Sequence, residues 1–266
     1  MGEAAKPRTA AVNARLWGAR ARDWAEVQEV LARPLYEAVF ARAGLKPGVA
    51  YLDAGCGAGL AAQIASTAGA RVSGIDATEE LLAIARERMP QGDFRAGELE
   101  ALPYADKSFD LVTGFNAFQF AGNPAAALGE ARRVLKPGGT VAIVTWGKPE
   151  GMQAAALVTS LKALMPTPPP GAPGPFALSD EAALRAFATS GGLKPGEVFD
   201  IPCVFAYRDL ATALRALNSS GVAARAMENS SEAAVSAAHA QALERFRQPD
   251  GSYRAQAIFR CLLATA

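Results

Sequence analysis

The sequence predicts a doubly wound α/β protein, on three observations. Short apolar runs alternate with amphipathic segments from Gly48 to Trp146, two of those runs close on a carboxylate, and a glycine-rich turn follows the first. Alternating strand-type and helix-type periodicity builds a mostly parallel sheet covered by helices on both faces. Strands are expected near residues 49–53, 71–75, 93–96, 109–115 and 140–146, with helices between them.

Residues 10–43 read as two helices, one carrying Trp17 and Trp24 seven positions apart, the other running from Arg33-Pro34 to Ala43. The tryptophans form a stripe suited to packing on the body of the protein in preference to direct ligand contact. Next, Val49 to Leu52 delivers the chain to Asp53 and then to Gly55, Gly57 and Gly59, with Cys56 as a small turn-filler, before a helix begins at Leu60. Glycines at a strand-to-helix turn let the backbone pass close under a ligand while the free amides of the helix point toward it. The spacing is G-x-G-x-G, with Leu60 where a dinucleotide fingerprint wants its third glycine. Asp53, two positions before the first glycine, would repel a pyrophosphate and attract an ammonium or a zwitterionic amino acid. The second strand ends in Asp76, where doubly wound folds place an acid that accepts from ribose hydroxyls. Asn123 and Pro124 start a helix that stops before Lys136-Pro-Gly-Gly, which turns the chain into the fifth strand.

Beyond Trp146 the pattern predicts a helix over Gly151 to Met165, an extended Pro-rich surface loop over 166–175, and a helix from Ser179-Asp-Glu to Gly191-Gly192. Gly196 to Tyr207, interrupted by Pro202, and Tyr253 to Leu263 read as an antiparallel pair finishing the sheet. Helices near 209–217, 222–229 and 231–246 lie between them as a cap over a substrate pocket. The expected organisation is an N-terminal lid over 1–45, a ligand-binding core over 46–147, and a C-terminal half over 148–266 with cap helices at about 148–178 and 208–248.

Four segments together resemble the class I S-adenosylmethionine-dependent methyltransferases, in particular the group related to ubiquinone and menaquinone methyltransferases. They are Leu52-Asp-Ala-Gly-Cys-Gly-Ala-Gly59, Gly74-Ile-Asp-Ala-Thr-Glu-Glu-Leu-Leu-Ala-Ile-Ala-Arg86, Gly97-Glu-Leu-Glu-Ala-Leu-Pro-Tyr-Ala-Asp-Lys-Ser-Phe-Asp110 and Arg133-Val-Leu-Lys-Pro-Gly-Gly-Thr140. Each is weak alone; their order and spacing carry the likeness. The resemblance implies a Rossmann-like sheet of seven strands, mostly parallel with an antiparallel last pair, and S-adenosyl-L-methionine as cofactor. It also implies site residues: Asp53, Gly55, Cys56, Gly57 and Gly59 at the methionine moiety, Asp76 on the ribose and Ala77 against the adenine. Glu98, where the family usually has Asp, would accept from the adenine amino group and the Leu99 amide would donate to a ring nitrogen. Gly114, Phe115 and Asn116 would reach the sulfonium end.

The chain has 266 residues, half of them hydrophobic, and a net charge of +1 with basic and acidic residues intermixed, so no nucleic-acid surface is expected. Three widely spaced cysteines fit a reducing compartment and neither a disulfide framework nor a zinc site. There is no signal-type apolar core, and no apolar run reaches the ~18 residues of a membrane span. These features describe a soluble cytoplasmic protein, monomer or homodimer, acting on a small-molecule substrate without metal or membrane insertion. Methyl transfer from a sulfonium needs no nucleophilic side chain; a base is needed only if the acceptor must lose a proton. The single histidine, His239, sits in an alanine-rich helix and reads as a surface or packed residue. Tyr36, Asn116, Gln119, Tyr207 and Glu228 are pocket candidates, and the catalytic residue is left unassigned. A quinone-precursor C-methyltransferase and a non-catalytic S-adenosylmethionine-binding protein are the alternatives.

Overall fold

The computed structural model describes residues 9–168 and 173–266. In chain order the N-terminal segment, expected to form a lid, is α1 (Ala10–Gly18), a single turn α2 (Ala21–Asp23), a π-helical turn (Trp24–Gln28), a 3-10 turn (Glu29–Ala32) and α3 (Arg33–Arg42). Two regular helices were expected here, and this is corrected. The chain leaves helical geometry at Arg20 (φ −140°, ψ 43°) as it bends over a later helix; a Cβ on Gly18 would stand 2.6 Å from Glu80 Oε2. Trp17 and Trp24 therefore ride on separate pieces and meet edge to face with ring centres 4.9 Å apart.

The core follows as β1 (Ala50–Ala54), α4 (Leu60–Thr67), β2 (Arg71–Asp76), α5 (Glu79–Arg88), β3 (Asp93–Ala96), β4 (Phe109–Phe115), α6 (Pro124–Val134) and β5 (Leu135–Trp146). The Asn123 side chain accepts from Ala126 N and caps α6, with Pro124 at its first position. The C-terminal half supplies α7 (Ala155–Thr159), α8 (Glu181–Ser190), β6 (Lys194–Tyr207), α9 (Leu210–Leu217), α10 (Gly221–Asn229), α11 (Glu232–Leu243) and β7 (Tyr253–Thr265). Four helices of this half begin on an expected type of cap: Asp180, Asp209, Ser220 and Ser231 each accept the amide three residues on.

The seven strands lie in the order β3-β2-β1-β4-β5-β7-β6. Pairings from β3 through β5 are parallel, and β7 runs antiparallel to both β5 and β6. This is the mixed, mostly parallel sheet that the sequence predicts. Alternate residues serve opposite faces: Tyr51, Leu111, Ala142 and Val144 join one core with α3 and α4, and Leu52, Val112, Val141 and Ile143 join another with α6 and α8. Strand order reverses at β1 and β4, and the region beyond the carboxyl ends of such strands is where doubly wound sheets take ligands.

Three further expectations change. The helix over 151–165 shrinks to α7 and a 3-10 turn (Lys162–Leu164), with Met152, Ala154, Leu157 and Leu161 buried. The fifth strand begins at Leu135 because Lys136-Pro-Gly-Gly continues the extended path through an irregular register beside β4. Pro202 does not interrupt β6. Opposite it, the Ile258 amide and carbonyl are engaged on the far side, by Met152 Sδ and Gly147 N, so Pro202 faces the open edge and its missing N–H removes no ladder bond. Of the Pro-rich stretch, 166–168 and 173–174 carry no regular structure, and residues 169–172 lie outside the described residues, as do residues 1–8.

Candidate functional site

The site is built on the turn after β1. Gly55, Gly57 and Gly59 all take positive φ (79°, 53° and 81°), a conformation that disfavours any Cβ. Space excludes a side chain as well at two of them: a Cβ on Gly55 would meet Ala117 Cβ at 2.5 Å, and one on Gly59 would meet Ala85 Cβ at 2.8 Å. Gly57 differs, since its nearest neighbours would be Glu29 Oε1 and the Trp24 indole nitrogen, each at 3.8 Å. Gly55 and Cys56 donate their amides to Ile75 O, which ties the turn to β2. Cys56 is buried against Phe94 and Ala62, and burial pushes its thiol well above the ordinary value, so it is an inert filler.

Three carboxylates surround this turn. Asp53 is fully buried and accepts from Thr113 Oγ1 at 3.1 Å; Thr113 is in turn held by Tyr51 Oη at 2.7 Å. Burial, above all, pushes its carboxyl up to about 7, against the Thr113 hydrogen bond, and the charges of Glu29 and Asp76 add to the rise. Asp76 accepts from Gly57 N and Thr78 N, both at 2.9 Å, joining the turn to the start of α5. Desolvation outweighs those two amides and holds its carboxyl above the ordinary value. Glu29, on the lid, is 4% exposed; it accepts from Leu60 N and pairs with Arg88, which also donates to Ala58 O and Ala25 O. Burial raises the Glu29 carboxyl in spite of Arg88. The sequence reading missed Glu29 and Arg88. Their only signal was an acid inside the run Val27-Gln-Glu-Val-Leu31 and a base at the end of α5, which any helix tolerates.

Of the other expected residues, Ala77 and Asp76 share the end of β2, and Glu98 and Leu99 follow β3, whose next amide, Gly97 N, bonds to Asp76 O. Gly114 works by packing, since a Cβ there would stand 2.3 Å from the Phe118 ring. Phe115 packs edge to face on Tyr36. Asn116 has φ +51°, rare for a residue with a side chain, and its carboxamide oxygen accepts from Gln119 Nε2 at 3.0 Å. Of the pocket candidates, Tyr36 is buried against Phe115, near enough to Glu29 and Asp53 that, after burial, their charges help raise its hydroxyl; the Tyr207 hydroxyl donates to Gln28 Oε1, and Glu228 pairs with Arg15 and Arg225. His239 is buried at 3% exposure, donates through Nδ1 to Asn218 Oδ1 at 2.7 Å, and is held neutral by burial, which pushes its value down to about 4. It is a packed residue, in agreement with the sequence reading.

Among the described residues no cluster of histidine, cysteine or acid side chains suits a metal, and no helix is long and apolar enough to cross a membrane. Fold and site thus define a doubly wound protein whose β1 turn is surrounded by three desolvated carboxyl groups, one of them paired with Arg88, at the strand ends where such sheets take ligands.

Residues 52–143 match the family described as methyltransferase domain. An uncharacterized protein of Mycobacterium tuberculosis is 36% identical over 128 residues, 47% of each chain. The demethylmenaquinone methyltransferase of Chlorobaculum parvum is 44% identical over 95 residues, 35% of this chain and 39% of its own. A proposed methyltransferase of Bacillus halodurans shares the fold, with a TM-score of 0.57 over 86% of this chain and 97% of its own at 16% identity. The chain spans about half the length, or less, of these curated relatives. The stretch over residues 52–143 is thus a methyltransferase domain by sequence, and the described chain shares the fold of that methyltransferase structure.

Proposed function

We propose that this protein transfers a methyl group from S-adenosyl-L-methionine to a small-molecule acceptor. The observation that carries the reading is the group of Asp53, Asp76 and Glu29 around a turn whose three glycines all take positive φ, two of them with no room for a side chain and Gly57 with space toward Glu29 and Trp24. When bound, the cofactor supplies a methyl group already activated by its sulfonium. The protein's own work is then to hold, align and exclude water. Asp53, Gly55, Cys56, Gly57 and Gly59 serve the methionine end, with Glu29 and Trp24 added from the lid. Asp76 serves the ribose, Ala77, Glu98 and Leu99 the adenine, and Phe115 and Asn116 the sulfonium side. No general base is assigned: His239 is spent on Asn218 inside the cap.

Calorimetric titration with S-adenosylmethionine tests the reading directly. We expect a dissociation constant in the micromolar range, and transfer of labelled methyl to at least one member of a panel of small hydroxyl, amine and carbon acids. Wild-type protein that takes up no cofactor at millimolar concentration sinks the proposal. The likeness to demethylmenaquinone methyltransferase favours a second reading, a quinone precursor as acceptor, which a soluble naphthoquinol in the same assay would reveal.

A further inference from the structure

The segment that follows β4 holds a feature that cofactor binding does not require. Among the described residues one buried side-chain polar atom has no hydrogen-bond partner, and it is Gln119 Oε1. A neutral acceptor hidden from water without a donor costs about 1–3 kcal/mol, so such an atom persists where something else uses it. Its amide nitrogen is already committed to Asn116 Oδ1 at 3.0 Å. Asn116 in turn sits in the left-handed region (φ +51°), and its backbone N–H is fixed to Val144 O at 3.0 Å. Strain of this kind, on the order of 1 kcal/mol or more, is kept where it aims a side chain. The two carboxamides therefore form a rigid pair with one end satisfied and the other bare.

The surroundings locate the bare end. Gln119 lies in the 3-10 turn Phe118–Phe120, directly after the carboxyl end of β4. Ala117, two residues back, abuts Gly55 of the glycine turn. Phe120 O accepts from Thr9 Oγ1 and Asn13 Nδ2 of the lid, and the Phe120 ring faces Trp17. Gln119 thus lies between a residue that touches the glycine turn and one that touches the N-terminal helix, at the carboxyl end of β4. The nearby carboxylates Asp53, Asp76 and Glu29 supply the negative charge that suits a cation. A neutral carbonyl adds nothing comparable for a cation and suits instead an uncharged O–H or N–H.

Resting on the methyltransferase reading, we propose that Gln119 recognises the methyl acceptor, and that the acceptor presents an uncharged O–H or N–H to Gln119 Oε1 on or beside the atom to be methylated. Gln119 is a specificity residue: it rejects fully substituted analogues because they would leave its oxygen bare.

The test uses matched probes that differ in the donor hydrogen: phenol against anisole, and aniline against N,N-dimethylaniline. Each is titrated into the full-length protein saturated with S-adenosylhomocysteine, and binding is followed by ligand-observed NMR. Wild-type protein should bind phenol and aniline about tenfold tighter than their methylated partners, the worth of one buried hydrogen bond. Gln119→Leu should bring each pair within twofold, Gln119→Glu, which keeps an acceptor, should retain the preference, and both should bind S-adenosylmethionine within threefold of wild type. Equal binding of the pairs by wild-type protein overturns the inference, as does a preference for the ethers, which would put the amide nitrogen at the bare end. A large loss of cofactor affinity in Gln119→Leu also overturns it, by giving the oxygen to the cofactor. Failure of the wild type to bind S-adenosylmethionine at all defeats the methyltransferase reading itself, and this inference falls with it.

Discussion

In the cap, polar side chains pair with one another or with the backbone: His239 donates to Asn218, Asn218 donates to Ser236, and Ser219 donates to Ala216 O. At the glycine turn the same kind of accounting stays open. Gln119 Oε1 has no partner, while Asp53 is held by the Thr113 hydroxyl and Glu29 by Arg88 and Leu60 N, with burial raising both carboxyls. Buried polar groups that satisfy one another stabilise a shape, whereas groups left short of partners favour a ligand. On the proposed function, the cap encloses and the turn binds.

The largest effect expected from breaking this contrast is at Arg88. Arg88→Met would leave Glu29 buried without its cation and strip donors from Ala58 O and Ala25 O, costing about 3–5 kcal/mol. Calorimetric unfolding should show Tm lower by roughly 10 °C. A fall of only a degree or two would mean that the lid does not depend on the pair. Next comes Asp76→Ala, which removes the acceptor of Gly57 N and Thr78 N. Cofactor affinity should drop about 100-fold, and unchanged affinity would withdraw the ribose assignment.

His239→Ala sharpens the other side of the comparison. It should lower stability by about 2 kcal/mol through the orphaned Asn218, with cofactor affinity within twofold. A variant that binds poorly but unfolds like wild type would contradict the assignment of the cap to enclosure. The smallest effect concerns pH. The Asp53 carboxyl stands at about 7 in the folded, ligand-free protein, above its ordinary 3.8. A value raised by folding adds stability that is full below the ordinary value and is lost as pH rises through 7. A cation is held by the ionised form, so S-adenosylmethionine should bind about tenfold more weakly at pH 6 than at pH 8. Asp53→Asn should flatten both profiles; a slope that survives it would place the titration on another group.

The elements of the sheet were legible because their signals are local. Alternating periodicity marked the strands, Asn123-Pro124 marked a helix start, and the glycines marked the turn after β1. The chain from Trp17 to Ala32 was not legible, because its breaks follow from distant packing on Glu80 and Leu81, which no window around residue 20 contains. The same reason hid Glu29 and Arg88, 59 positions apart and meeting only across the lid. Gln119 could be named as a candidate from its place after β4, but its bare oxygen is a property of the packed state. Pro202 misled in the opposite direction: proline weakens a central strand, and nothing nearby in sequence says that this strand is outermost.

That proline has a consequence for association. The outer rim of β6 is a line of donors and acceptors that a second chain could extend, the usual liability of an unprotected sheet margin. Because Pro202 faces outward, an incoming strand would find a gap in the middle of that line where it expects an N–H, and the exposed Val204 two residues on would face it without a complete ladder. Copies of this protein that meet in solution are thereby discouraged from joining their sheets along this margin.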